Sequence, residues 1–314
     1  MTEGTKDLYT GALAVRKRHS FLADLAIRCV KEKPLGTVGG VIVLLLLFIG
    51  IFAGWLAPYG YNETFVGGKL EGMSSTFWMG TDNVGRDLLS RIIYGARVSM
   101  FVGLGVPTIS MIISTTIGLV SGFIGGKTDL IIQRFVDAWV CFPALFIMLT
   151  FMALVGSGMV QVILVLGIMG GIGASRLKRS AVLAVKMNLY VEAAKAIGCP
   201  TWSILIRHIL PNIMATVIIT FTMGMGGAIL AEASLSFLGY GIPPPVPSWG
   251  GMLSGNARRY MIQAPWMAIF PGLALSIVVY GANMFGDALR DLLDPRLRGG
   301  IGRYSGGPRK RPDL

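Results

Sequence analysis

The chain has 314 residues, of which 53% are apolar and 14% charged, with a mean hydropathy of +0.66. Soluble domains carry about 25% charged residues and disordered chains need low hydrophobicity, so an integral membrane protein remains. The net charge of +12 does not mark a nucleic-acid binder, because the basic residues are dispersed between long uncharged stretches rather than gathered on one face.

Residues 1–36 form a basic N-terminal segment that does not resemble a cleavable signal, since the apolar run that follows is too long for the hydrophobic region of one. A crossing needs about 20 predominantly apolar residues, and residues 37–57 supply the first. An external segment, 58–97, follows. Its Asp82, Asn83, Gly85 and Asp87 hint at a calcium loop but lack the alternating acids and terminal Glu. An interfacial amphipathic helix is expected from Asp87 to Arg97. Span two, 98–126, contains Pro107, and its Gly118, Gly122 and Gly126 recur every four residues. Such spacing reads as close helix packing, with a hinge as the alternative. Gly126-Lys127-Thr128 imitates a phosphate loop, but Ser121 stands where that motif needs Gly, and a membrane helix precedes it.

The next uncharged stretch, 138–175, would be about 57 Å long as one helix, too long for a single crossing. Gly156-Ser157-Gly158 divides it into span three, 138–155, with Pro143, and span four, 159–175, with Gly167 and Gly171. A loop, 176–211, precedes span five, 212–238. A second external loop covers 239–264, span six 265–286 with Pro271, and the tail 287–314, rich in Gly and Pro from Arg298 and expected to fray. The fold expected is an all-α polytopic protein with six transmembrane helices. Twenty-two of the 28 basic residues fall on the side of both termini and loop 176–211, which makes that side cytoplasmic.

The spans are nearly bare of ionisable groups. Glu232, near the outer end of span five, either reaches interface water or faces a pore. Pro107, Pro143 and Pro271 free backbone carbonyls that neighbours must satisfy, and with Glu232 they are the candidates for a pore or gate. Cys29, Cys141 and Cys199 have no paired spacing, and His19 and His208 are the only histidines, so the sequence offers no metal or cofactor site. In the loop, Arg176 to Ile197 contains no Pro or Gly and reads as one helix stopped by Gly198. Pro200 opens a short second helix that puts Trp202, Leu205, Ile206 and Ile209 on one stripe, ended by Pro211.

Glu192-Ala193-Ala194, then Gly198, then Leu210-Pro211 resembles the EAA loop of membrane subunits in binding-protein-dependent ABC importers. The family's Ile is replaced by His208, with Ile209 following. Alone, Glu192 could simply pair with Lys195 and the alanines could be helix filler. Other segments are similar to the dipeptide, oligopeptide and nickel branch: Gly80-Thr81-Asp82, Gly85-Arg86-Asp87, Ser90-Arg91, Gly95-Ala96-Arg97, Glu232 to Gly239, Ser248-Trp249-Gly250, Phe270-Pro271-Gly272 and Asp294 to Arg298. The resemblance covers roughly 35–298 and points to the C-type of the two permease subunits.

The resemblance implies a type I importer permease fold in a bacterial or archaeal cell (inner) membrane, in contact with lipid. It implies a sister permease, two ATP-binding subunits that carry ATP and Mg, and an extracytoplasmic solute-binding protein. This chain itself would be no enzyme and hold no cofactor. Glu192, Ala193, Ala194, Gly198, Trp202, Ile206, Leu210 and Pro211 would then lie at the contact with an ATP-binding subunit. The alternative, an ion-coupled secondary peptide transporter, requires inverted repeats and buried ionisable groups, which the sequence does not display.

Overall fold

The structure, a computed structural model, describes residues 21–293. The expected fraying from Arg298 and the Asp294–Arg298 motif lie outside the described residues. Within them, regular structure is helical: α1 (Phe21–Glu32), α2 (Pro34–Leu56), α3 (Leu88–Ile124), α4 (Gly126–Cys141), α5 (Ala144–Val155), α6 (Met159–Lys186) and α7 (Leu189–Ala196) come first. Then follow α8 (Thr201–Ser203), a π-helical turn (Ile204–Ile209), α9 (Leu210–Phe237), α10 (Trp249–Leu253), α11 (Gly255–Tyr260) and α12 (Trp266–Leu293).

α3 and α6 form the most extensive helix pair, and glycine makes it possible. A Cβ added at Gly167 or Gly171 of α6 would stand 2.7 Å from the Cβ of Ile109 or Ile113 of α3. In return, a Cβ at Gly122 of α3 would stand 2.9 Å from Val182 of α6. The four-residue spacing of Gly118 and Gly122, and of Gly167 and Gly171, therefore serves close packing; Gly126 takes no part, since it opens α4 with φ +57° and a Cβ there would meet nothing within 4 Å. These contacts advance together along both helices, so α3 and α6 run parallel. The chain between them must travel back, and α4 and α5 make that return as a pair bent by 91°. Among the described residues, five helices or continuous stretches are each long and apolar enough to cross a membrane, and the bent pair, taken as one span, makes six.

Several helix bounds differ from the expected spans. α3 starts ten residues before span two, so Asp87 to Arg97 is no separate interfacial helix. Asp87 caps its first turn by accepting from Ser90 N at 2.8 Å. Two arginines inside that extension have partners: Arg91 Nη1 donates to the Tyr61 carbonyl at 2.9 Å and Arg97 Nε to that of Gly50 at 2.9 Å. Span three, expected as one helix over 138–155, is broken at Phe142-Pro143. Proline disfavours helical backbone at the residue before it, and Phe142 is extended with φ −84° and ψ 139°. α6 carries on past Ser175 to Lys186, so Arg176, Lys178 and Arg179 belong to it rather than to a loop. The expected continuous helix 176–197 breaks at Met187-Asn188, where Asn188 takes extended backbone before α7. Nor does Pro211 end a helix. Helical structure continues from Thr201 to Phe237, because the wider turn at Ile204–Ile209, closed by Leu210 N–H to Leu205 O, accommodates a proline that cannot donate.

The helices arrange two ends. Lys33 meets Asp291 at 2.6 Å, joining the start of α2 to the end of α12 at the end where α3 finishes and α6 leads into α7. At the other end, Trp249 Nε1 donates to the Ile92 carbonyl at 3.1 Å and Trp266 Nε1 to that of Thr81 at 3.1 Å. Those bonds tie α10 to the first turns of α3 and α12 to the segment before it. Exposed Leu44, Phe48, Ile51 and Trp55 give α2 an apolar outer face suited to lipid.

Gly122→Leu should strain the α3–α6 contact, since overpacking costs about 1–3 kcal/mol, and should lower the melting temperature of the purified protein in detergent. Gly173→Ala is the contrast: a Cβ there meets nothing within 4 Å. Its melting temperature should hold or rise, because helical Gly is about 1 kcal/mol worse than Ala.

Candidate functional site: the α6–α9 connection

α6, α7 and the π-helical turn fold onto the end of α3 because their apolar side chains share one cluster. Leu119 and Phe123 of α3 meet Val182, Val191, Ala194, Ile204, Leu205 and Ile209 there. α7 ends in a Schellman motif: Gly198 N–H donates to Lys195 O at 3.0 Å and Cys199 N–H to Ala194 O at 3.0 Å. Gly198 has φ +77°, the left-handed backbone that glycine alone enters without a Cβ penalty. Lys186 Nζ donates to the Phe123 carbonyl at 2.6 Å and lies 5.6 Å from its ring centroid, and Lys195 Nζ lies 5.0 Å from the same centroid. Two cations thus hold α6 and α7 to one aromatic side chain. Arg179 Nε donates to Asp129 at 2.7 Å and also bonds its other oxygen, anchoring α4 to the same region, and Ser121 bonds Asp129 as well.

The predicted loop residues divide between the two sides of this platform. Ala194 is buried against the cluster, whereas Glu192, Ala193 and Gly198 are exposed. Glu192 makes no ion pair with Lys195 among the described residues; Lys195 is turned to Phe123 instead. The expected stripe of Trp202, Leu205, Ile206 and Ile209 does not hold together. The π turn shifts the periodicity, so Leu205 and Ile209 are buried while Trp202 (73%) and Ile206 (39%) are exposed. Leu210 is half-buried and Pro211 exposed. Met187, Leu189 and Ile197 add exposed apolar surface at this end of the molecule.

The pore or gate candidates separate. Pro107 and Pro143 line one groove of about 660 Å³, together with Ser110, Met169, Thr220 and Gly227. No ionisable side chain lines it. Pro271 is buried in α12, away from that groove. Glu232 does not reach water: it is 1% exposed and accepts from the Ser236 hydroxyl at 2.6 Å, while Ile242 N–H donates to that hydroxyl at 3.1 Å. Its role in the fold is to hold the end of α9 to the following loop.

The sequence places Lys178 in the loop 176–211, but it lies within α6. It is fully buried, donating to the Thr216 carbonyl at 2.8 Å and to the Thr220 hydroxyl of α9. The signal was the helical period: Gly171, Ser175, Lys178 and Val182 recur on one buried face of α6. Treating residue 176 as the start of a loop hid it.

At the opposite end, Asp82 organises the turn 81–87. Its Oδ1 accepts from Val84 N at 2.9 Å and Arg86 N at 3.0 Å, and its Oδ2 from Arg86 Nε at 2.6 Å. Gly85, with φ +73°, lets the turn close where a Cβ would meet the Gly67 carbonyl at 2.6 Å. This turn and residues 236–255 enclose a cavity of about 290 Å³.

Two family profiles match the chain. Residues 114–299 match the family described as binding-protein-dependent transport system inner membrane component, and residues 21–71 the N-terminal TM domain of oligopeptide transport permease C. A glutathione transport system permease protein of Pectobacterium atrosepticum is 41% identical over 268 residues, covering 85% of this chain and 89% of the relative. A dipeptide transport system permease protein of Alkalihalophilus pseudofirmus is 39% identical over 273 residues, covering 87% and 90%.

Phe123→Leu removes the ring that faces Lys186 and Lys195 while keeping apolar bulk. Two cation–π contacts at about 0.5–1 kcal/mol each should lower hydrogen-exchange protection of amides 189–196 by about tenfold, read by mass spectrometry.

Proposed function

The chain belongs to the family of binding-protein-dependent transport system inner-membrane components, and from that premise we propose that the α7–Gly198–α8 platform is where it receives the force of ATP hydrolysis. It is a multi-pass inner-membrane permease subunit of an ABC importer of the peptide family, and ATP hydrolysis is carried by separate ATP-binding subunits of the system. A substrate-binding protein completes that system.

One observation carries the coupling reading. The connection is packed rigidly on its inner side, through the Leu119–Phe123 cluster and the Schellman turn, yet presents Glu192, Ala193, Trp202 and Ile206 uncovered on its outer side. A partner docked there gains an apolar surface already held in place, so little ordering entropy opposes binding. Gly198, Leu210 and Pro211 shape the platform, and Ala194 acts from inside by packing. An ATP-binding subunit, holding ATP and Mg, is the occupant this reading assigns.

The remaining assignments rest on the same reading. A sister permease forms the other half of the pore, and the groove bearing Pro107 and Pro143 belongs to this chain's half. The cargo is a peptide-like solute, by likeness to relatives named for dipeptide and glutathione transport. Both termini and the platform face the cytoplasm, supported by the basic residues gathered there. The ion-coupled alternative receives no support: Lys178 is satisfied by neutral acceptors of α9, Glu232 by a serine hydroxyl, and neither lines the groove.

Gly198→Val forces a β-branched residue into left-handed backbone at about 1–2 kcal/mol, and Glu192→Lys reverses the charge on the exposed face. Both variants should reach normal membrane abundance but lose co-purification of the ATP-binding subunits and the ATPase activity stimulated by binding protein. Gly198→Asn, which tolerates this backbone, should keep both. Retention of the ATP-binding subunits by the first two would make the platform merely structural.

For orientation, single-cysteine variants in a background without Cys29, Cys141 and Cys199 should react from outside with a membrane-impermeant thiol reagent at position 69. Position 188 should stay protected. Labelling of 188 from outside would invert the topology.

A further inference from the structure

We propose that the cavity between the turn 81–87 and residues 236–255 receives an acidic side chain of the solute-binding protein, held by Arg86 with Arg91 behind it. This rests on the importer reading above, which supplies a binding protein at the outer face.

The cavity has an unbalanced charge and unspent donors. Asp82, Arg86 and Arg91 line it. The side chains of Arg86 and Arg91 are only 16% and 10% exposed. Asp82 spends Oδ1 on two backbone amides and Oδ2 on Arg86 Nε at 2.6 Å; Arg91 Nε stands 3.8 Å from Oδ2, beyond a hydrogen bond. Arg91 commits Nη1 to the Tyr61 carbonyl. Among the described residues, neither Nη atom of Arg86 nor Nη2 of Arg91 has an acceptor. Two mostly buried guanidinium groups therefore share one carboxylate, and the outer fork of Arg86 is unmatched. Glu232 does not supply the missing charge, because its carboxyl lies behind Ser236 and Ser248 and bonds neither arginine. A guanidinium fork is matched by a carboxylate, which accepts two parallel N–H bonds.

Place selects the source. About 290 Å³ lies near the lower edge of the range for small-molecule pockets, roughly 300–1,000 Å³, and leaves ample room for an acidic side chain. The cavity shares no lining residue with the Pro107–Pro143 groove, so it stands off the route through the spans. A group bound there docks at the rim, as the delivering protein must.

The test uses the complete complex with its sister permease and ATP-binding subunits in nanodiscs, titrated with cognate binding protein, reading ATPase rate. Arg86→Gln should raise the half-maximal binding-protein concentration by about tenfold or more, within the range of a charge-assisted hydrogen bond. The saturating rate should be unchanged, and the salt dependence of the half-maximal concentration weaker. Arg86→Lys, a point charge without the fork, should fall between. Ser254→Glu, at another lining position, leaves both arginines in place and supplies a carboxylate from within the chain. It should raise the half-maximal concentration likewise, which keeps the test decisive if loss of Arg86 impairs folding. An unchanged half-maximal concentration in a folded Arg86→Gln complex, or in Ser254→Glu, overturns the proposal. Unchanged half-maximal concentration with reduced cargo uptake per ATP assigns the carboxylate to the cargo and overturns the occupant named here. Absence of any stimulation in the wild-type complex overturns the importer partnership itself.

Discussion

The close approach of α3 to α6 is the constraint on which the rest of the molecule depends. Gly118 and Gly122 on one helix and Gly167 and Gly171 on the other remove the side chains that would hold them apart. In lipid, where tails are as apolar as leucine, such backbone proximity is a main source of helix association. Once the two helices run parallel, the intervening chain has to return, and the bent α4–α5 pair is the consequence. The end of α6 is also brought beside the end of α3, where Phe123 collects Lys186 and Lys195 and the α7 platform gains its support.

A second theme is the treatment of charge. Long basic side chains within or beside the spans reach backbone carbonyls or hydroxyls: Lys178 reaches Thr216 and Thr220, Lys186 Phe123, and Arg97 Gly50. Carbonyl oxygens have a second lone pair to offer even when a helix uses the first, so cations can be accommodated without a partner carboxylate. The groove, by contrast, has no ionisable lining at all.

Much of this was legible in the sequence. Uncharged stretches counted the crossings, and four-residue glycine spacing located the tightest interface. Gly198, following a helix and preceding Cys199-Pro200, was readable as a left-handed C-terminal stop because few other local patterns need a glycine there. What was not legible has physical causes. In a sequence, charge marks the end of a span, yet Arg91, Arg97 and Lys178 sit inside helices because distant carbonyls accept from them. Such long-range partners leave no trace in local periodicity. The π turn at Ile204–Ile209 shifts the face of every later residue, so the stripe through Trp202 and Ile209 could not survive. The place of Glu232 near a helix end suggests access to water, but the loop 239–248 folds over it and buries it.

α3 is a single helix of 37 residues, a rod of about 55 Å. One end carries the Asp87 cap beside the arginine-lined cavity, and the other carries Leu119 and Phe123 beneath the platform. Pro107, on the groove, lies one residue past its midpoint. A tilt of roughly 10° about that point would carry each tip about 5 Å in opposite directions. The helix is proportioned as a balance beam, its fulcrum in the wall of the groove.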